Sequence, residues 1–368
     1  MAAEVIKEWN LFSQVVIPLD GAVPVKGLKR GRPVSAGELL ARQPDLMTGD
    51  IHASVGGVVE EINEADIIIR RDSEAVGEPP NPADLSGLSS LELARSLKEL
   101  GLSLPQLLPD EPFIIAALNP EPGLTYAPAL FSEQRETLLA GLEVLRRLYP
   151  GTATVWAVTR SGEAPEGEDF VVVKNRYPQT LPYFLKKEVT GESDPDRRGV
   201  FGGRALYLFG RVWRTGLPVT RLVLTLGGAN YLVPVGARVI DLLTFANLAP
   251  GPGDVVVKGG LVRGASLIRL ERGLDKSVAG LHLFKGGASG QIRPCRSCRR
   301  CSRACPLGLP VPALGRLDPR QWPRSRDLNL LKDCLVCGAC ALVCPARRPL
   351  LSLARLAGRS GASTTFDL

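Results

Sequence analysis

Apolar positions come in short runs at the start of the chain. Residues 15–19, 33–40, 52–62 and 67–69 hold strand-forming side chains, with turn residues at 24–25 and 27–31 between them. Short strands spaced about ten residues apart predict a small barrel or sandwich over residues 12–72. The alternation within 52–62 breaks at Gly56 and Gly57. Pro79, Pro80 and Pro82 mark residues 73–87 as a linker.

From residue 90 the period lengthens. Leucine spacing over 90–100 predicts an amphipathic helix that Gly101 stops. Residues 134–149 predict a second helix, with Leu138, Leu139, Leu142, Val144, Leu145 and Leu148 mostly on its apolar side. Residues 113–118, 153–158 and 170–174 read as strands, and this alternation predicts an α/β domain with parallel strands. Residues 221–226 and 229–236 flank Gly227 and Gly228, the mark of a hairpin. A short helix over 239–248 and a strand over 254–260 follow, and a small β-grasp-like module fits them. The glycine-rich stretch 286–290 reads as a flexible linker.

All eight cysteines lie beyond that linker. Cys295, Cys298, Cys301 and Cys305 form one C-x2-C-x2-C-x3-C-P run, and Cys334, Cys337, Cys340 and Cys344 form another. A 4Fe–4S cube needs four thiolates. In two-cluster ferredoxins the fourth cysteine of each run ligates the other cluster. That rule assigns Cys295, Cys298, Cys301 and Cys344 to one cluster, and Cys334, Cys337, Cys340 and Cys305 to the second. Structural zinc uses cysteine pairs across a longer loop. Disulfide frameworks suit short secreted chains. Pro310, Pro312, Pro319 and Pro323 make the segment between the runs, 307–333, a loop with at most short turns.

Charge adds one feature. The net charge is +7, and Arg293, Arg296, Arg299, Arg300 and Arg303 interleave with the first cysteine run. Few aromatics accompany them, so base stacking and nucleic-acid binding are not expected. Two readings stay open: a docking surface for an acidic redox partner, or a counterweight to the charge of a thiolate-bound cluster. No apolar run approaches the length of a membrane span. The first residues lack the pattern of a secretory signal. A cytoplasmic location is expected, with any membrane association made through partner subunits.

Several patches in order carry a resemblance. They are residues 52–59, Asn119-Pro120-Glu121-Pro122-Gly123, Tyr177-Pro178-Gln179, Leu224 to Gly228, Pro234-Val235-Gly236, Lys258-Gly259-Gly260 with Gly264, and both cysteine runs. The chain resembles the RnfC family of the Rnf electron-transport complex and its relatives in cobalamin reduction. The front also resembles biotinyl/lipoyl modules, without a lysine at the Gly56–Gly57 turn. The resemblance implies a multidomain α+β chain: a barrel-sandwich module over 1–72, a flavin-domain-like α/β region over 85–220, a soluble-ligand-binding β-grasp module over 221–284, and a dicluster ferredoxin domain over 290–358.

One departure bears on cofactors. FMN-binding relatives carry a glycine-rich loop between the first helix and first strand of the α/β domain, whose N–H groups can cradle a phosphate. Here that stretch, residues 101–109, has one glycine, with Pro105 and Pro109 supplying no N–H. The reading is therefore an iron–sulfur electron-transfer subunit of a multisubunit redox complex, with two 4Fe–4S clusters and without FMN. Its partners would be an acidic ferredoxin, a flavodoxin or a flavoprotein subunit. The alternative is an FMN-containing NADH dehydrogenase or corrinoid reductase subunit, in which Glu121 and Lys174 would meet the flavin. A third reading is an assembly scaffold. His52, beside the tight turn, reads as a structural hydrogen-bonder, with a metal or flavin contact as its alternative.

Overall fold

The structure is a computed structural model that describes residues 6–10, 12–72, 80–105, 111–160, 162, 164–192, 198–286, 292–313 and 333–358. Residues 73–79 of the linker, the end of the loop 101–109, most of the glycine-rich stretch and most of the segment between the cysteine runs lie outside these residues.

Two small antiparallel sheets form the front. One orders Gln14–Pro18, Asp66–Arg71, Gly57–Ile62 and Pro33–Val34, and the other Val23–Pro24, Leu39–Arg42 and Ile51–His52. Val15, Ile17, Leu40, Val59, Ile67 and Ile69 fill the core between them. Gly57 permits its strand pairing, because a Cβ there would sit 2.0 Å from the carbonyl oxygen of Arg70.

The middle region is α/β. Asp169–Val172, Thr154–Val158, Phe113–Ala116 and Val200–Gly202 lie in that order, and every pair is parallel. The helix Ser90–Glu99 starts at a capping box between Ser89 and Glu92 and ends just before Gly101, at φ +88°. Helix Arg135–Leu148 packs against Gly203–Thr215 at very short range. A Cβ at Gly141 would lie 2.1 Å from the Leu206 carbonyl oxygen, and one at Gly210 would lie 1.7 Å from that of Thr137. The residue pattern does not announce three of the helices here: Tyr126–Glu133, Pro182–Thr190 and Gly203–Thr215.

The fourth sheet has six strands, ordered Ile6–Glu8, Ala229–Pro234, Arg221–Leu226, Gly280–Phe284, Val255–Lys258 and Ala265–Leu267. Gly227 and Gly228 turn the hairpin with φ of +58° and +85°, as a two-residue turn requires. The helix predicted over 239–248 is shorter, Val239–Phe245. Residues 6–9, at the start of the chain, join this sheet and not the front ones. Ile6–Glu8 runs parallel to Ala229–Pro234, and Trp9 is buried against Phe12 and Phe245.

A buried polar knot ties these regions. Lys276 Nζ donates to the carbonyl oxygens of Asp50 (2.6 Å) and Gly101 (2.7 Å), and Lys98 Nζ donates to the Asp50 carboxylate at 2.5 Å. His52 lies beside it, buried. Burial first, then the Lys276 charge, pushes its imidazole down to about 4, so it stays neutral. Among the described residues its Nδ1 finds no hydrogen-bond partner.

Candidate metal centre

The two cysteine runs fold alike. In each, the residue two places after the first cysteine is left-handed, Ser297 at φ +52° and Val336 at +52°. So is the residue after the second cysteine, Arg299 at +56° and Gly338 at +74°. A one-turn helix follows in each, Arg300–Ala304 and Ala339–Leu342, and the fourth cysteine and its proline come next. The tight turns aim backbone at sulfur: the Val336 N–H points at Cys334 Sγ, 3.4 Å away.

The two runs enclose two cavities, and their linings cross over. Cys305, Cys334, Cys337 and Cys340 line one. Cys295, Cys298, Cys301 and Cys344 line the other. Each cavity thus takes three cysteines from one run and the fourth from the other, the grouping expected from the spacing. Among the described residues, no group of three or more His, Cys, Asp or Glu side chains is placed to hold a single metal ion. The thiols surround a space instead of meeting at a point, which suits a polynuclear cluster.

The thiols also sense one another. Burial pushes Cys340 up to about 12, and Cys337, Cys334 and Cys305 add to the rise. Burial raises Cys337, helped by Cys305. Burial raises Cys301, helped by Cys344 and Cys295. Four cysteines gathered this closely would become thiolates together only around a neutralising cation, since metal ligation requires the deprotonated form. The donor set therefore fits 4Fe–4S clusters.

The two cavities face different surroundings. The first is lined by apolar residues such as Leu309, Val311, Leu335 and Leu351, and it lies against the body of the protein. Leu335 and Cys337 pack with Leu181 and Tyr183, and the Tyr177 hydroxyl donates to the Cys337 carbonyl oxygen. A Cβ on Gly338 would meet Val262 Cγ1 at 2.9 Å, so glycine there answers close approach as well as positive φ. The matching position in the first run, Arg299, is exposed. The second cavity is lined by Arg296, Arg299 and Arg348, and Cys298 is exposed.

Glu121 and Lys174 sit in unlike places. Glu121 is 4% exposed. Its carboxylate accepts the Arg263 N–H at 2.8 Å and has the Arg263 guanidinium 3.8 Å away. Gly260 leaves it room, since a Cβ there would lie 2.1 Å from Glu121 Cγ. Arg355, on the last helix, donates to the Arg263 carbonyl oxygen. Lys174 is exposed beyond the strand Asp169–Val172. Residue pattern alone missed Tyr177 and Arg263 as groups beside the first cavity. The patch Tyr177-Pro178-Gln179 was the one signal that pointed there.

The segment 294–348 matches the family model of the 4Fe-4S dicluster domain. It defines the class of the C-terminal part: a ferredoxin-like iron–sulfur domain. Over a longer stretch, the chain is 26% identical to the C subunit of the proton-translocating ferredoxin:NAD(+) oxidoreductase complex of Clostridium ljungdahlii, covering 78% of this chain and 74% of that one. It is 23% identical to the C subunit of the ion-translocating oxidoreductase complex of Rhodobacter capsulatus, covering 77% and 64%. With the corresponding subunit of Yersinia pseudotuberculosis it shares 26% identity over 53% of this chain, about a third (32%) of that longer one. The chain therefore has homologues named as the C subunits of ion-translocating oxidoreductases over much of its length. Among the described residues no helix is long and apolar enough to cross a membrane.

Proposed function

We propose that this chain is an iron–sulfur electron-transfer subunit of a multisubunit ion-translocating oxidoreductase complex, carrying two 4Fe–4S clusters. The crossed lining of the two cavities carries this reading. Cys305, Cys334, Cys337 and Cys340 would hold the inner cluster, against the α/β region. Cys295, Cys298, Cys301 and Cys344 would hold the outer one, at the arginine face. Bound clusters supply single-electron transfer. The chain's own residues exclude water from the inner site, set the charge around the outer one and hold the two at a fixed separation.

The described backbone supports a reading without FMN in the loop 101–109. In its described part, residues 101–105, three N–H groups are already bonded: Gly101 to the Lys98 carbonyl oxygen, Leu102 to that of Leu97, and Leu104 to that of Met47. Those three are not free to cradle a phosphate. The two front sheets support a barrel-sandwich module, and the six-stranded sheet with its short helix supports a β-grasp module. Acidic redox proteins suit the arginine face.

Anaerobic reconstitution tests the reading. Holoprotein should carry about eight iron and about eight acid-labile sulfide per chain. Zinc in place of iron, or a stable form with half the iron, would sink it. A flavin released on denaturation would favour the dehydrogenase alternative.

A further inference from the structure

An open, shallow depression lies on the surface of the dicluster domain. Arg300, Arg303, Leu342, Val343 and Cys344 are among its lining residues. Leu342 is 64% exposed and Val343 38%, at the end of the helix Ala339–Leu342. Arg300 and Arg303 are three apart on the helix Arg300–Ala304 and so share a face. Both are exposed, and among the described residues neither side chain has an ion pair. In the described parts of this domain, 292–313 and 333–358, Asp333 is the one acidic residue against eight arginines.

Two exposed apolar side chains beside unpaired arginines have the anatomy of a protein interface, with an apolar centre and a charged rim. The depression also has a chemical floor. Cys344 lines both it and the arginine-lined cavity, so a protein seated there would lie against a ligand of the outer cluster. The inner cavity's Cys337 and Gly338 meet Tyr177, Leu181 and Val262 instead.

We infer that this depression is the docking site of an acidic one-electron carrier protein, with Leu342 and Val343 at its centre and the carrier's carboxylates on Arg300 and Arg303. The inference rests on the electron-transfer reading above. With the clusters bound, the outer one would give one electron past Cys344 to the carrier's oxidised centre, itself oxidised by one as the carrier is reduced by one. No bond forms or breaks, and no proton is required.

The test uses reduced full-length holoprotein mixed in stopped flow with an oxidised acidic 2Fe–2S ferredoxin, and separately with a small uncharged oxidant. The variants are Leu342→Ser/Val343→Ser and Arg300→Gln/Arg303→Gln. Each should slow transfer to the ferredoxin by about tenfold or more at low ionic strength and leave transfer to the small oxidant unchanged. The arginine effect should vanish near 1 M salt, where the screening length falls to about 3 Å, and the apolar effect should persist. Wild-type rates to ferredoxin in both variants would overturn the docking site and leave the electron-transfer reading standing. Wild-type protein that reduces neither acceptor would overturn that reading itself. Should a variant lose iron, arginine-directed labelling of the wild type decides: ferredoxin should protect Arg300 and Arg303, and unchanged labelling would overturn the site.

Discussion

The Tyr177 hydroxyl donates to the main-chain carbonyl oxygen of Cys337, across 160 residues of sequence. Burial keeps the phenol protonated well above its usual range, so it stays a donor at any physiological pH. The bond holds the main chain of Cys337, whose thiol lines the inner cavity, so it positions the sulfur and its surroundings, on which cluster potential depends. Tyr177→Phe keeps the ring and removes the donor. The expected result is a lower midpoint potential for the inner cluster, an unchanged outer one, and a stability loss of about 0.5–1.5 kcal/mol. Redox titration followed by electron paramagnetic resonance resolves the two. Equal shifts in both clusters would contradict a local bond.

Crossed ligation makes its own forecast. Cys305→Ala should damage the cluster held by Cys334, Cys337 and Cys340, and Cys344→Ala the one held by Cys295, Cys298 and Cys301. Spectra of each reduced variant separate the outcomes. If each change harms the cluster of its own run, the grouping is wrong.

Gly338 and Arg299 share a backbone conformation but not a setting. A non-glycine residue in the left-handed region costs about 1–2 kcal/mol. Gly338→Ala adds a clash with Val262 and should weaken the seating of the dicluster domain on the body. Hydrogen exchange at 335–342 should rise. Arg299→Gly relieves the same strain in solvent, so thermal stability should hold or increase slightly. A destabilised Arg299→Gly would mean that the side chain has a contact beyond charge balance.

Much of the molecule is legible in its residue order. The set of cysteines lining each cavity was legible because the two-cluster ferredoxin rule pairs three thiols of one run with the fourth of the other. The parallel α/β sheet was legible because its strands at 113–116 and 154–158 are nearly all apolar. Other parts depend on distant residues. Helix Gly203–Thr215 carries glycines at 203 and 210 that weaken a local helix signal, and Gly210 is there for the close crossing with Thr137. Strand Ile6–Glu8 is three residues long and has no apolar alternation to reveal it. Glu121 takes its place from Gly260 and Arg263, about 140 residues on, which no local pattern encodes.

Lys276 predicts a pH dependence. Burial pushes its ammonium down to about 7, with Asp50 opposing and Lys98 assisting the fall. The unfolded side chain titrates near about 10.4. Between these values the unfolded state binds the extra proton, so the cost of burying the charge is full below about pH 7 and fades as pH rises. Lys276→Met lacks this term. The stability of the wild type relative to Lys276→Met should therefore increase from pH 7 to pH 10 in chemical denaturation. A flat difference would mean that Lys276 keeps an ordinary pKa.

Strand Ile6–Glu8 closes one edge of a sheet whose other members begin at residue 221. During synthesis its partner Ala229–Pro234 emerges more than two hundred residues later, so the first strand must wait while the front sheets and the α/β region form. Until it arrives, Ala229–Pro234 presents a buried-type row, Asn-Tyr-Leu-Val-Pro, with unpaired backbone groups along an open edge. A chain trimmed at residue 9 would keep every cysteine and yet leave that edge open to pairing with a second copy.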